Sequence, residues 1–225
     1  PHKYEFQHSR LHLFEMFKIR SLFLFVFLAA RVLSAQGFDD FGRTPRQRAS
    51  KMLSKGYCSE ALRIYKQLYA TDSLRQDYLA ISSCLTCQKK HNESIKWLQR
   101  LRFQDSQYVP VYYRIARAYI AIPNEDSALF YFKRYIKKYE ERLAVTMDGS
   151  EVDPRAWLYI GNIYRVRMHQ KGITDKEWID MVYAYERYLQ IRPNDPMQYQ
   201  IQIFLDEVGE RRPDPEGILI WDEKS

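Results

Sequence analysis

The feature that most constrains the fold is an internal repeat with a period of 33 or 34 residues. Three segments align without gaps, namely SEALRIYKQLY (59–69), NESIKWLQRL (92–101) and EDSALFYFKRY (125–135). Each contains one small residue, Ala61, Ser94 or Ala128, followed at i+3, i+4 and i+7 by large apolar residues. This spacing places the large residues on one face of a helix, so each segment is predicted to be a helix facing a core.

A second helix is predicted upstream of each of these helices. Twelve residues before each small residue lies another small residue, with an apolar residue three positions later. The upstream small residues are Ala49, Ser82 and Ala116. Each unit is therefore two helices, with short turns near KGY (55–57), KKH (89–91) and IPN (122–124). A fourth unit begins in DPRAWLYIGNIYRV (153–166), where Gly161 takes the place of the small residue.

The fourth unit carries the residues by which the repeat resembles a known family. Its first helix fits the pattern W-x2-L-G-x2-Y with isoleucine at the leucine place, and its second helix is followed by a proline. These residues are Trp157, Ile160, Gly161 and Tyr164, then Met181, Tyr185, Tyr188 and Pro193. The pattern resembles the tetratricopeptide repeat. The resemblance implies an all-α fold over residues 42–209: a right-handed α-α superhelix, or solenoid, of about four helix pairs and a C-terminal capping helix.

A glycine inside an aromatic helix needs a physical reason, because glycine costs a helix about 1 kcal/mol relative to alanine. In a helix pair, the side chain at the crossing point sets the distance between the axes. We predict that another helix crosses closely over Gly161; a kink or a cap there is the alternative. The predicted packing residues of the array are Ala49, Ala61, Ser82, Ser94, Ala116, Ala128, Trp157, Gly161, Tyr164 and Pro193.

Two longer spacings interrupt the repeat. Ala116 and Gly161 are 45 residues apart, which predicts a longer helix in the third unit and a loop at Asp148–Gly149. The segment KGITDKEW (171–178) predicts an inserted turn within the fourth unit. Long connections in compact domains are often functional, and a neutral insertion is the simpler interpretation here.

The end of the chain is predicted to hold a capping helix and a tail. The segment DPMQYQIQIFLDEV (195–208) has apolar residues on one face, as expected of a helix that covers the last unit. Residues 210–225 have two prolines in a charged setting, which is typical of a flexible tail without fixed structure. Within this tail, ILIW (218–221) either docks on another molecule or folds back on the array, and we favour folding back.

The N-terminal residues have the pattern of a secretory signal peptide. After Met16 come basic residues, the apolar run SLFLFVFLAA (21–30) and small residues. We interpret residues 16–35 as the signal peptide, cleaved after Ser34 or Ala35, and residues 1–15 as sequence upstream of the true start. The apolar run is shorter than the roughly 20 residues that span a bilayer; an uncleaved anchor is the alternative. The Ala-Gln ending resembles Bacteroidetes export signals, which favours a periplasmic or outer-membrane-associated protein.

Three cysteines leave three interpretations open. Cys84 and Cys87 form a C-x-x-C motif, and Cys58 lies further upstream. In an oxidising compartment, burial or a structural disulfide, for example from Cys58, is the favoured interpretation. The alternatives are a thiol-redox pair and half of a metal site. A redox cysteine usually lies at a helix N-terminus, whereas Cys84 is predicted in the middle of a helix.

The sequence contains none of the common enzyme motifs. It has no Walker loop, no G-x-G-x-x-G, no G-x-S-x-G and no metal-binding spacing of histidines. We therefore expect no catalytic residues, no metal and no cofactor. The net charge is +7, and falls to +4 without residues 1–35. This mild excess does not indicate nucleic acid as a partner.

What remains as a candidate site is a surface. In tetratricopeptide arrays the first helix of each unit lines a concave groove that receives a peptide. The resemblance places Arg46, Ser50, Tyr113, Arg117, Asn162 and Arg165 along this groove. Arginine binds carboxylates through two hydrogen bonds, so we expect an acidic peptide or protein as the ligand. Solvated arginines without a ligand are the alternative.

These observations predict a non-enzymatic scaffold for protein–protein interactions. We expect it to be a subunit or assembly factor of a bacterial cell-envelope complex, touching a membrane only through its N-terminal segment or through that complex. One alternative is a periplasmic redox protein that uses Cys84 and Cys87. The other is a structural protein anchored by residues 16–35.

Overall fold

The computed structural model describes residues 43–146 and 152–221. The predicted signal peptide, the extension before it and the loop at Asp148–Gly149 lie outside the described residues. The chain forms two compact units, Pro1–Tyr57 and Cys58–Ser225. This boundary divides the first predicted helix pair, whose two helices belong to different units.

The described part of the first unit holds helix α1, Pro45–Ser54. Its N-terminus is closed by a capping box: the Gln47 amide donates to the Thr44 hydroxyl, and the Gln47 side chain accepts from the Thr44 amide. Ala49 is fully buried, as predicted for a packing residue. The helix ends before Gly56, whose positive φ of 83° suits a residue without a side chain.

The described part of the second unit is a run of helices with one short strand pair. Its elements in chain order are α2 (Cys58–Asp72), α3 (Arg75–Cys87), α4 (His91–Gln104), α5 (Pro110–Ile120), α6 (Glu125–Thr146), α7 (Arg155–Gln170), β1 (Ile173–Thr174), α8 (Asp175–Ile191), α9 (Gln198–Gly209) and β2 (Ile218–Leu219). Each helix from α2 to α8 packs against the next one, and α9 packs on α8. Short connections make such neighbours antiparallel. The all-α prediction is confirmed for the described residues.

The small residues of the repeat lie at the crossings of these helices. Ala61, Ser94, Ala116 and Ala128 are fully buried, and Ser82 is almost so. At the α3–α4 crossing, the hydroxyls of Ser82 and Ser94 are 2.8 Å apart, and Ser94 also donates to the Ser82 carbonyl at 3.1 Å. The burial predicted from the repeat is therefore confirmed, with a hydrogen-bonded serine pair in place of two alanines.

Gly161 lies under a side chain of the neighbouring helix. A Cβ atom added to Gly161 would be 2.8 Å from the ring of Tyr185 on α8, closer than real Cβ contacts allow. Trp157 and Tyr164, the other motif residues of α7, are buried on either side. The predicted close contact with α8 at Gly161 is confirmed, but the nearest atoms are those of the Tyr185 ring and not of the α8 backbone.

The length of α6 and the two ends of α8 bear on three of the predictions. α6 is 22 residues long, as the wide spacing in the third unit predicts. The inserted turn is shorter than KGITDKEW, because α8 already begins at Asp175 behind a capping box of Thr174 and Glu177. Pro193 was predicted to pack, and this is wrong: it is exposed, just beyond the end of α8, where it stops the helix.

The tail folds back onto the fourth unit. β2 pairs with β1 in antiparallel register, Ile173 with Leu219 and Thr174 with Ile218. The ring of Trp221 lies 6.4 Å from that of Phe204 on α9, and its carbonyl lies 3.0 Å from Nδ1 of His169. The prediction that ILIW folds back is confirmed, and the expectation of no fixed structure is corrected for residues 218–221.

Candidate functional site

Three consecutive helices of the second unit enclose a cavity of about 580 Å³. Two of them, α3 and α5, are the first helices of their pairs, and α4 lies between them in sequence. The cavity is mostly lined by small, hydroxyl-bearing and cationic residues: Ser82, Ser83, Thr86, His91, Ser94, Leu98, Pro110, Tyr113, Arg114, Arg117, Ala118 and Ala121. No carboxylate is among these lining residues.

The floor of the cavity is a product of the repeat. The small residues Ser82 and Ser94 of the α3–α4 crossing are among the residues that line it. Their hydroxyls form a connected group, since Thr86 Oγ1 lies 3.1 Å from Ser94 Oγ and Ser94 bonds to Ser82. Ser82 and Ser94 are buried beneath the cavity, so a ligand would meet the exposed Thr86, whose hydroxyl is bonded to Ser94.

Two arginines of α5 supply the positive charge. Arg114 and Arg117 are one helical turn apart, so they project from the same face, and both are exposed. Arg114 donates to Ser83 Oγ at 3.4 Å, and the Arg117 guanidinium lies 5.3 Å from the ring centre of Tyr159. Within residues 43–146 and 152–221, neither arginine forms an ion pair. Both guanidinium groups therefore keep donors for an anionic ligand.

Tyr113 forms part of the wall beside these arginines. Its ring packs against Phe132 and Tyr135, with ring centres 5.7 and 5.4 Å away. Burial raises the pKa of Tyr113, and the nearby carboxylate of Asp153 raises it further. The phenol therefore stays neutral at physiological pH, and can donate a hydrogen bond.

The structure brings together only some of the residues predicted for the groove. Tyr113 and Arg117 line the cavity, but Asn162 and Arg165 on α7 do not. Asn162 accepts a hydrogen bond of 2.8 Å from the Tyr185 hydroxyl, and the Arg165 guanidinium lies 4.4 Å from the ring centre of Phe204. Both are engaged by the next helices of the array.

Arg46 and Ser50 lie on α1, which belongs to the first unit. Arg46 is half-buried and Ser50 is exposed. Sequence reasoning missed Arg114 and His91 as lining residues. Sequence reasoning could have found Arg114, because a residue three positions before Arg117 lies on the same helix face. It could not have found His91, because the position of His91 depends on how α4 packs between α3 and α5.

The cysteines form one structural bridge and one buried thiol. Cys58 at the start of α2 is bonded to Cys87 at the end of α3, with Cα atoms 6.2 Å apart. Cys84 is fully buried, and this burial raises the pKa of its thiol to about 11. The predicted bridge from Cys58 is confirmed. The alternative of a Cys84–Cys87 redox pair is wrong for this structure, because Cys87 is bonded elsewhere and Cys84 stays a thiol.

Across 43–146 and 152–221, histidine, cysteine and carboxylate side chains do not form groups of three or more that could hold a metal ion. In the same part of the chain, the helices are too short or too polar to cross a membrane.

Solved structures resemble the chain, although no protein-family model and no curated protein matches it at a significant level. A crystal structure of the MamA protein superposes with a TM-score of 0.56 at 21% identity, covering 73% of this chain and 80% of that one. TPR-like repeats of a Podosopora anserina kinesin light chain superpose with a TM-score of 0.51 to 0.52 at 13% identity. The superposition covers 75% of this chain and 86% of the kinesin light chain repeats.

The fold is that of the tetratricopeptide repeat. In the tetratricopeptide-repeat arrangement, α3, α5 and α7 are the first helices of successive pairs. The cavity therefore lies where the sequence resemblance places the ligand groove, between the first helices of neighbouring pairs.

Proposed function

We propose that the protein is a non-enzymatic scaffold that binds a partner protein in the cavity between α3, α4 and α5. The observation that carries this proposal is the cavity itself. It holds about 580 Å³, and two exposed arginines stand on its α5 wall. Within the described residues, neither of them forms an ion pair. Hydroxyls of Ser83, Thr86 and Tyr113 supply donors and acceptors around them.

The ligand we propose is an acidic segment of the partner. A guanidinium group binds a carboxylate with two parallel hydrogen bonds, and the lining residues include no carboxylate that would repel one. The hydroxyls in the wall suit the peptide groups of an extended chain. Tyr113 can donate a hydrogen bond, and the Ser83 oxygen, whose proton goes to the Leu79 carbonyl, can accept one. Solvated arginines that bind nothing remain the alternative, and the experiment below separates the two.

We further propose that the protein acts outside the cytoplasm, as a subunit or assembly factor of a bacterial cell-envelope complex. Two features support this location. Residues 16–35 have the pattern of a signal peptide, and the Cys58–Cys87 bridge is a bond that persists in oxidising compartments.

The test measures binding of a fluorescein-labelled hexaglutamate peptide by anisotropy. Exchanging both arginines, Arg114→Glu with Arg117→Glu, should weaken binding at least tenfold, because hydrogen bonds to charged groups contribute about 1.5–3 kcal/mol each. The matched control is Lys96→Glu with Arg100→Glu, which changes the net charge equally on the opposite face of α4. It should bind like the original chain.

Two outcomes would count against the cavity as the binding site. One is equal affinity of the Arg114/Arg117 variant and the original chain. The other is equal weakening by both double variants, which would indicate a response to net charge alone. Circular dichroism of each variant confirms that helicity is retained.

A further inference from the structure

Helix α4 presents two different faces. His91, Ser94 and Leu98 have the spacing of one helix face, and they line the cavity described above. Lys96, Arg100 and Phe103 have the same kind of spacing, on the opposite side of the helix. This second face, with Tyr69 of α2 and Tyr78 of α3, borders a shallow hollow of about 580 Å³.

Phe103 is the most exposed large apolar residue that the structure describes, with 92% of its surface accessible. Apart from Tyr69 and Tyr78, the residues that line the hollow with it are polar or cationic: Lys96, Gln99, Arg100, Arg102 and Gln104. A single aromatic ring held in water among cations gains nothing from packing within this chain. Burial of that ring against something outside the chain would be favourable.

The hollow has a rigid aromatic floor. The rings of Tyr69 and Tyr78 meet edge to face with centres 4.9 Å apart, and Trp97 meets Tyr69 at 5.0 Å. The hydroxyls of the two tyrosines are 3.1 Å apart. The Arg100 guanidinium lies 4.9 Å from the Trp97 ring centre, so its position is fixed by a cation–π contact.

The charged residues that line the hollow are all cationic. Lys96, Arg100 and Arg102 line the hollow, and no carboxylate is among the lining residues. Within the described part of the chain, none of these three cations forms an ion pair. The acidic residue at the end of α4, Asp105, is already paired with Arg75 of α3. The face is therefore complementary to an anionic surface.

We propose that this face of α4 docks on a lipid surface that carries anionic headgroups. Phe103 enters the boundary between headgroups and acyl chains, while Lys96, Arg100 and Arg102 bind lipid phosphates. A lipid surface fits better than a peptide because the hollow is shallow and offers one protruding ring among cations. Binding to a membrane surface gains both from buried apolar area and from electrostatic attraction to anionic lipids. The cavity lies on the other face of α4, so docking leaves it open to a protein partner.

The test measures flotation of the full chain with phosphatidylcholine vesicles, with and without phosphatidylglycerol. We expect stronger binding when phosphatidylglycerol is present, and weaker binding at higher salt. Phe103→Ala should reduce binding about tenfold, through the lost burial of one phenyl ring. Lys96→Glu with Arg100→Glu should reduce it by at least fivefold per residue.

Two controls separate this proposal from other causes. Phe130→Ala removes another exposed phenylalanine, on α6 and with 56% accessibility, and should leave flotation unchanged. Arg114→Glu with Arg117→Glu should also leave it unchanged, so failure of the cavity proposal would not affect this one. All variants share the same N-terminus, so any contribution of the apolar run at 21–30 cancels in the comparison.

The proposal is overturned if vesicles without anionic lipid bind equally well, or if Phe103→Ala binds like the original chain. It is also overturned if the Lys96/Arg100 variant loses affinity for hexaglutamate or inorganic phosphate while flotation is unaffected. That result would make the face a site for soluble anions.

Discussion

At residue scale, one missing side chain decides how the last helix pair closes. The ring of Tyr185 fills the space above Gly161, and its hydroxyl donates to Asn162 one position further along α7. Burial raises the pKa of Tyr185 to about 12, so the hydroxyl remains a donor under all ordinary conditions. The glycine of the motif thus makes room for a ring and for the hydrogen bond that fixes it.

Gly161→Ala should lower the free energy of unfolding by about 1–2 kcal/mol. The added methyl group overlaps a buried ring, which costs about 1–3 kcal/mol, and the gain in helix propensity offsets up to about 1 kcal/mol of that. Urea denaturation measures the change. Gly209→Ala at the end of α9 is the control, because a Cβ there meets nothing within 4 Å. Equal stability of the two variants would contradict the close contact.

At element scale, the helices are tied together by contacts that join distant parts of the chain. Arg167 of α7 is buried and donates to Glu177 and Asp126 at 2.7 Å each, at the starts of α8 and α6. Burial by itself would raise the pKa of Glu177, but the Thr174 amide and Arg167 together hold it below its usual value. Asp126 and Glu177 lie at helix starts, where acidic residues suit the helix dipole. Local spacing does not show that Arg167 is their common partner.

The Cys58–Cys87 bridge should stabilise the α2–α3 hairpin by about 3–4 kcal/mol, the loop-closure value for a separation of 29 residues. Adding a reductant should therefore lower the Tm of the original chain, and have no effect on Cys58→Ser with Cys87→Ser. Cys84→Ala, the control, should keep the sensitivity to reductant.

A second measurement on the same bridge addresses the proposed location. Alkylation of protein taken from its native host should find one thiol, Cys84, after denaturation. Three alkylated thiols would mean that the bridge is absent in the cell, which would contradict both the pairing and an oxidising compartment.

At the scale of the second unit, the tail closes the end of the array. Gly172 has a φ of 83°, and a Cβ there would collide with Ile218 and lie 2.8 Å from Ile220. Arg212 pairs with Asp175 at 2.6 Å, and Arg211 lies 4.3 Å from the ring centre of Trp221. A terminal repeat needs such a cover because its apolar side has no next repeat to face.

Gly172→Ala should lower the free energy of unfolding more in the full chain than in a chain that ends at Gly217. Backbone strain at positive φ costs about 1 kcal/mol in both chains, whereas the collision with Ile218 and Ile220 occurs only when the tail is present. We expect a difference of about 1–2 kcal/mol by thermal unfolding. Equal losses in the two chains would mean that the tail does not lie on Gly172.

The sequence by itself determined what repeats: the helix pairs, their small residues, the long α6 and the close approach at Gly161. These features follow from local spacing, because helical periodicity depends on residues that are close in sequence. It also placed Tyr113 and Arg117 on the cavity side of α5.

Only the tertiary structure decided which distant residues meet. Contacts between separate elements include the serine pair under the cavity, the engagement of Asn162 and Arg165 by the next helices, the bonds from Arg167 to Glu177 and Asp126, and the strand pairing of the tail. Such contacts depend on the angles and distances at which helices pack. The period in the sequence defines where the helices are. The side chains at each crossing decide which residues of neighbouring helices meet.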